Sequence, residues 1–281
     1  MKIIQNIKEM QQEIRYSKSL GKSIGFVPTM GALHEGHLSL VKEAQRENDI
    51  IVMSVFVNPL QFGPNEDFEC YPRNVEKDAA LAEDAGVHYL FYPDASEMYP
   101  KPLSVKMLVK ERVNVLCGAK REGHFDGVVT VLTKLFHIIQ PEKVYFGLKD
   151  AQQIAVIEGL VEDYFFPIEV VRVPTVREID GLAKSSRNVY LSETERAEAP
   201  ALYESLKRAK EKIENGRDDP EEVKNSIKDF LSLHITGAID YIEIYSYPKL
   251  ERVEKLQGEI IIALAVQFKE ARLIDNIIIN V

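Results

Sequence analysis

Residues 23–57 read SIGFVPTMGALHEGHLSLVKEAQRENDIIVMSVFV. The run at 23–27 predicts a buried strand, and Pro28 closes it. Residues 37–48 put Leu38, Leu40, Val41 and Ala44 on one helical face. Residues 50–57 are β-branched and apolar on both faces, as strands inside parallel sheets are. Upstream, residues 5–19 carry Ile7, Met10 and Ile14 at helical spacing. Downstream, helices are expected over 73–85, stopped by Gly86, and over 127–139 and 151–161. Strands are expected over 88–92, 143–146 and 168–173. This alternation predicts an α/β fold, a doubly wound, Rossmann-like parallel sheet over residues 1–176. Beyond Val176 the pattern changes. Residues 192–215 read as one Ala-rich helix with a Ser192/Glu195 capping box, 215–220 as a turn, and 220–234 as an amphipathic helix. Strands over 240–245, 259–266 and 272–279 follow. Residues 177–281 are therefore expected to form a smaller C-terminal α+β domain.

The chain has 281 residues, with 35 Lys and Arg against 44 Asp and Glu, a formal net charge of −9. That balance argues against duplex nucleic acid or an anionic membrane as the main partner, and leaves room for a local basic pocket. Cys70 and Cys117 form no CxxC or CxxH pattern, so a Cys-rich zinc site is excluded and a disulfide scaffold is not expected. The N-terminal stretch lacks a signal-peptide apolar region, and no apolar run approaches the roughly 18 residues of a membrane span. The expectation is a soluble cytoplasmic protein.

Chemistry concentrates in loops at predicted strand ends. After the first core strand come Met30-Gly31-Ala32-Leu33-His34-Glu35-Gly36-His37. Gly31 and Gly36 permit a tight turn and close backbone approach. His34 and His37 lie about one turn apart at a helix N-terminus, which favours a phosphate. A metal pair and a polar loop are the alternatives, although a zincin would need HExxH. Gly147-Leu148-Lys149-Asp150 ends another strand, where ligands of open α/β sheets sit. By themselves, a Lys and an Asp at a strand end are more often ordinary helix-cap chemistry. Asp180-Gly181-Leu182-Ala183-Lys184-Ser185-Ser186-Arg187-Asn188 joins the two halves and suits a mobile clamp on polyphosphate, or a solvated linker. Gln61, in Asn58-Pro59-Leu60-Gln61-Phe62-Gly63, offers a donor and an acceptor to a hydroxy acid, or is a solvent-facing turn amide. Arg121, before Gly123-His124-Phe125, reads as an anion contact or a structural cap.

These motifs, with Tyr71-Pro72-Arg73, Gln152-Gln153 and Ser185-Ser186-Arg187-Asn188, stand in an order and spacing that resemble the pantothenate synthetase (pantoate–β-alanine ligase) family. That family lies within the HIGH-type nucleotidyltransferase superfamily, and the resemblance runs nearly end to end. It implies a two-step reaction. Pantoate's carboxylate attacks the α-phosphorus of ATP, and β-alanine's amine then attacks the acyl carbon of pantoyl-adenylate. It also implies that His34, His37, Lys149, Arg187 and Mg²⁺ neutralise developing phosphate charge, with His37 as the residue the family treats as catalytic. ATP would be held by residues 30–37 (Met30, Gly31, Ala32, Leu33, His34, Glu35, Gly36, His37) and by Gly147, Leu148, Lys149 and Asp150. Val176, Lys184, Ser185, Ser186 and Arg187 would complete that set. Gln61 and Gln153 would hydrogen-bond pantoate, Pro28, Met30 and Phe146 would pack on its gem-dimethyl carbon, and Arg121 would guide β-alanine. Asp78 would be a metal-side carboxylate, and the protein a homodimer. This sequence departs from the family at Lys184, usually Met, and at Leu148, commonly Glu.

Overall fold

The computed structural model describes residues 1–63, 68–69 and 71–281; Cys70 lies outside the described residues. The first part of the chain runs β1 (Lys2–Ile4), α1 (Ile7–Ser19), β2 (Ile24–Thr29), α2 (Glu35–Glu47) and β3 (Ile50–Val55). It continues through α3 (Val75–Asp84), β4 (Tyr89–Phe91), α4 (Ala95–Met98), α5 (His124–Ile139), β5 (Lys143–Gly147), α6 (Ala151–Asp163) and β6 (Glu169–Val173). All pairings are parallel, in the order β1-β4-β3-β2-β5-β6. Every residue of β3 is buried, as its two-faced apolar sequence requires. On one face, Val27, Ile51, Met53 and Val55 pack with Leu40, Val41 and Ala44 of α2 and Ala82 of α3.

The sheet order reverses between β2 and β5, which creates the crevice where such sheets bind ligands. Pro28 helps to open it. Ser23 and Thr29 turn their carbonyls to β3, accepting from Ile50 and Phe56 N–H at 3.0 Å each, whereas Ile24 turns to the β5 side, accepting from Glu142 N–H at 3.0 Å. By alternation Pro28 faces β5, where it has no N–H to give. The β2–β5 register covers only Gly25 and Phe26.

The second part contains α7 (Glu193–Glu198), α8 (Ala201–Glu214), α9 (Pro220–His234) and an antiparallel sheet β7 (Ala238–Ser246), β8 (Glu259–Gln267), β9 (Arg272–Asn280). Its core joins Leu202, Leu206, Val223 and Ile227 to Ile260, Ile262, Leu264 and Leu273. The expected single helix over 192–215 is two helices. Pro200 lacks an N–H and its ring would clash with a preceding carbonyl, so the helix restarts there. The capping box is present: Glu195 N–H donates to Ser192 Oγ (3.3 Å), and Ser192 N–H to Glu195 Oε2 (2.9 Å). The chain divides into two compact units, Met1–Val113 with Lys120–Pro174, and Asn114–Ala119 with Thr175–Val281. The six residues at 114–119 thus group with the C-terminal part, a long-range association that composition does not reveal.

Candidate active site

The turn after β2 leads straight into α2. His34 rather than Gly36 is the N-cap, so the helix starts at Glu35, two residues earlier than expected. Two imidazoles perform the capping. His34 Nδ1 accepts from Gly36 N–H (3.1 Å), and His37 Nδ1 accepts from the N–H of His34 (3.3 Å). With each Nδ1 accepting, the ring proton is assigned to Nε2 in both rings. Their centroids are 4.2 Å apart. Burial above all, with the charges of His34 and Lys149, holds His37 down at about 3 against the opposing pull of Asp150. A neutral donor at a helix N-terminus suits a phosphate oxygen.

This shift makes a pH prediction. The unfolded chain protonates this histidine as pH falls through 6.5, whereas the folded chain resists down to about 3. The stabilising contribution of a neutral His37 is therefore complete above pH 6.5 and is lost progressively as pH falls from 6.5 toward 3. Imidazole NMR of the free protein should show His37 as the Nε2–H tautomer throughout pH 5 to 8; titration near 6.5 would contradict the assignment.

β5 ends in Gly147, and a single 3₁₀ turn, Leu148–Asp150, presents Lys149. Its ammonium lies 3.7 Å from Asp150 Oδ1. The influence of both on His37 places the β2 and β5 loops together. Leu148, in place of the family's commoner Glu, leaves this turn intact.

Gln61 is buried at the end of a 3₁₀ turn, Pro59–Gln61, that Asn58 caps. Asn58 Oδ1 accepts from Leu60 N–H (3.3 Å) and from the Tyr99 hydroxyl (2.8 Å). Its Nδ2 donates to Gln61 Oε1 (3.2 Å) and to the Gly127 carbonyl (3.0 Å). The Gln61 acceptor is thus occupied, and its Nε2 reaches Met30 Sδ at 2.9 Å. His124 Nδ1 meets the Gln61 carbonyl (2.7 Å), and Arg121 Nη1 meets His124 Nε2 (3.0 Å). The two glutamines of α6 differ. Buried Gln152 donates to the Arg112 carbonyl (2.8 Å), whereas the side-chain amide of half-buried Gln153 makes no hydrogen bond among the described residues. Phe146 is buried at the β5 end, and Pro28 and Met30 are half-buried at the β2 end. Asn58 and His124 stood in recognised motifs without a role assigned. Tyr99 carried no sequence signal, because its contact spans 41 residues.

Val176, Lys184, Ser185, Ser186 and Arg187 belong to the second unit. Residues 176–184 form a hairpin that leads into the rest of the 180–188 stretch. Glu178 N–H donates to Leu182 O (2.7 Å) and Lys184 N–H to Val176 O (2.9 Å). Arg177 pins the hairpin to Asp275 through two bonds (2.7 and 2.8 Å), and Asp180 pairs with Arg196 at 2.6 Å. Lys184 lies 2.9 Å from Glu178, so the charge gained by its departure from Met is matched across the hairpin. Ser185 caps the 3₁₀ turn Ser186–Tyr190 by accepting from Arg187 N–H (3.2 Å), and Arg187 is exposed.

Asp78 lies against the turn that follows β2. It is 2% exposed, and both carboxylate oxygens accept backbone N–H groups, Oδ2 from Ala32 (3.0 Å) and Oδ1 from Leu33 (2.8 Å). Each oxygen thus holds one backbone N–H of the turn. No cluster of three or more His, Cys, Asp or Glu side chains that could hold a metal occurs among the described residues. Mg²⁺ commonly binds through one or two carboxylates plus substrate phosphates, without a protein cage. No described helix is long and apolar enough to cross a membrane.

A parallel sheet whose switch point carries a helix N-terminus, two imidazole donors and a lysine defines an α/β nucleotide-binding protein. The family model described as pantoate–β-alanine ligase matches residues 2–278, and the chain belongs to that family. It is 60% identical to the pantothenate synthetase of Geobacillus sp. (strain WCH70) over 278 residues, 99% of this chain and 98% of the relative. It is 58% identical to that of Bacillus subtilis (strain 168) over 281 residues, 100% of this chain and 98% of the relative. The pantothenate synthetase structure from Thermus thermophilus superposes with a TM-score of 0.92 at 44% identity, covering 99% of both chains. A pantoate–β-alanine ligase from Francisella tularensis, complexed with beta-gamma ATP and β-alanine, gives 0.79 at 38% identity over 99% of this chain and 97% of that one.

Proposed function

We infer that this chain condenses pantoate with β-alanine at the expense of ATP, through pantoyl-adenylate. The carrying observation is the pair of imidazoles capping α2 beside Lys149 at the sheet's switch point. Pantoate's carboxylate is a weak nucleophile. Its attack on the α-phosphorus forms a carboxyl–phosphate bond and releases pyrophosphate, and it requires fixed donors where negative charge grows. The Nε2–H groups of His34 and His37 and the Lys149 ammonium supply them, and the family resemblance adds the Arg187 guanidinium. The β-alanine amine then attacks the acyl carbon, loses a proton, and AMP departs. No protein nucleophile is needed. Residues 30–37 and 147–150 hold the nucleotide, and the family resemblance assigns Val176 and 184–187 to the same role. Mg²⁺, bound through the ATP phosphates, would add neutralising charge. Gln61, held by Asn58, presents its amide to pantoate. Gln153 brings an uncommitted amide, while Pro28, Met30 and Phe146 receive the apolar carbons. Arg121, anchored on His124, meets the β-alanine carboxylate. A cytoplasmic homodimer, with residues 1–176 as the ATP- and pantoate-binding domain, belongs to the same reading.

ATP–pyrophosphate exchange that depends on pantoate tests the assignment. A binding module gives no exchange, and another transferase answers to a different acid. Gln153→Ala is expected to weaken pantoate far more than ATP, since a site built around a hydroxy acid loses most when that pairing is lost. Equal losses in both apparent affinities would remove Gln153 from the pantoate site.

A further inference from the structure

We propose that Asp78 is a positioning residue that locks the nucleotide-binding turn, and that it acts through the backbone rather than through a metal. The turn between β2 and α2 is conformationally costly. Gly31 and Ala32 are both left-handed, with φ of +87° and +51°. Glycine adopts that region freely, but alanine does not, because its Cβ crowds the following carbonyl. Two consecutive left-handed residues persist only where their surroundings over-determine them. Asp78 provides that constraint from 45 residues away, holding the N–H groups of Ala32 and Leu33 with both oxygens. A buried carboxylate is tolerated when hydrogen bonds replace its water, and here each oxygen has a backbone donor.

The packing is direct. A Cβ on Gly31 would lie 2.8 Å from Asp78 Oδ2 and 2.9 Å from Val55 Cγ1, so the turn rests on the carboxylate and on β3. Asp78 sits in the first turn of α3, its own N–H donating to Asn74 O at 3.0 Å, which fixes where the carboxylate points. The residue after Leu33 is His34, the cap of α2. The direction of the turn therefore sets both imidazoles. Asp78 touches no reacting atom on this account; it holds the segment that does.

The test rests on the adenylation reading above and uses the full-length protein. Asp78→Asn keeps the size of the side chain and removes one acceptor. It is expected to slow pantoate-dependent ATP–pyrophosphate exchange by on the order of 10- to 10²-fold, the scale of a misplaced catalytic group. The Mg²⁺ concentration giving half-maximal exchange should not change. Adding Ala32→Gly to that variant should recover several-fold of the lost rate, because glycine reaches the left-handed region without help. In the parent, Ala32 and Leu33 amides should be protected from hydrogen exchange, a measurement that needs no variant. A raised Mg²⁺ requirement, no recovery with Ala32→Gly, or freely exchanging amides would overturn the proposal. Absence of exchange in the parent would defeat the adenylation reading instead, so the two failures are distinct.

Discussion

His37→Ala is expected to lower the rate of adenylate formation by about 10²- to 10³-fold, the usual cost of losing one donor to a transition-state oxyanion. The variant removes two things. One is the Nε2–H aimed at the phosphate. The other is Nδ1, which accepts the His34 N–H and completes the α2 cap. His37→Gln separates them, since glutamine at this helix position commonly caps the same backbone group. That variant should keep near-parental thermal stability yet remain slow, because its amide cannot reach where Nε2 points. Rapid-quench measurement of the first turnover isolates the step from product release. Near-parental adenylation in either variant would remove His37 from the phosphate site.

Gly127→Ala, a change of one methyl group, is expected to damage pantoate use as severely. A Cβ there would lie 2.3 Å from the Leu60 carbonyl oxygen, 2.5 Å from its carbon and 2.6 Å from the Gln61 nitrogen, all backbone atoms that cannot rotate away. Ordinary carbon–oxygen contact begins at about 3.3 Å, so α5 and the turn bearing Gln61 must part by about 1 Å. The Gly127 carbonyl also holds Asn58, which in turn holds Gln61. Overpacking of this kind costs about 1–3 kcal/mol of stability. A shift of 1 Å at a binding group can cost about 10²-fold. kcat/KM for pantoate should fall by about that factor, with apparent ATP affinity little changed. A folded variant with parental pantoate kinetics would show that the turn tolerates the displacement.

What could be read in advance follows the range of the interaction. The run IIVMSVFV at 50–57 announced a strand covered on both faces, and β3 is buried along its whole length. Ser192 and Glu195 announced a cap that both bonds complete. Each is a matter of neighbouring residues. The break at Pro200 was equally local and follows from the missing N–H. The imidazole cap was half legible. Spacing put His34 and His37 at a helix start, but which ring nitrogen accepts, and hence which one faces a ligand, depends on the folded turn.

By itself the sequence determined the alternation of strands and helices, the change of pattern near residue 176, and the motifs that place the chain in its family. Those properties rest on side-chain periodicity and on short spacings, which act within a few residues. Only the tertiary structure decided the strand order that opens a crevice between β2 and β5, and Pro28's position on its edge. It alone set the Asp78 carboxylate on the backbone of a left-handed turn, and it joined Tyr99 through Asn58 to Gln61. It also matched Lys184 with Glu178 across a hairpin. The physical reason is the same throughout. A buried polar group must find a partner, and wherever the chain's path supplies that partner from a distant segment, local spacing carries no record of the pairing.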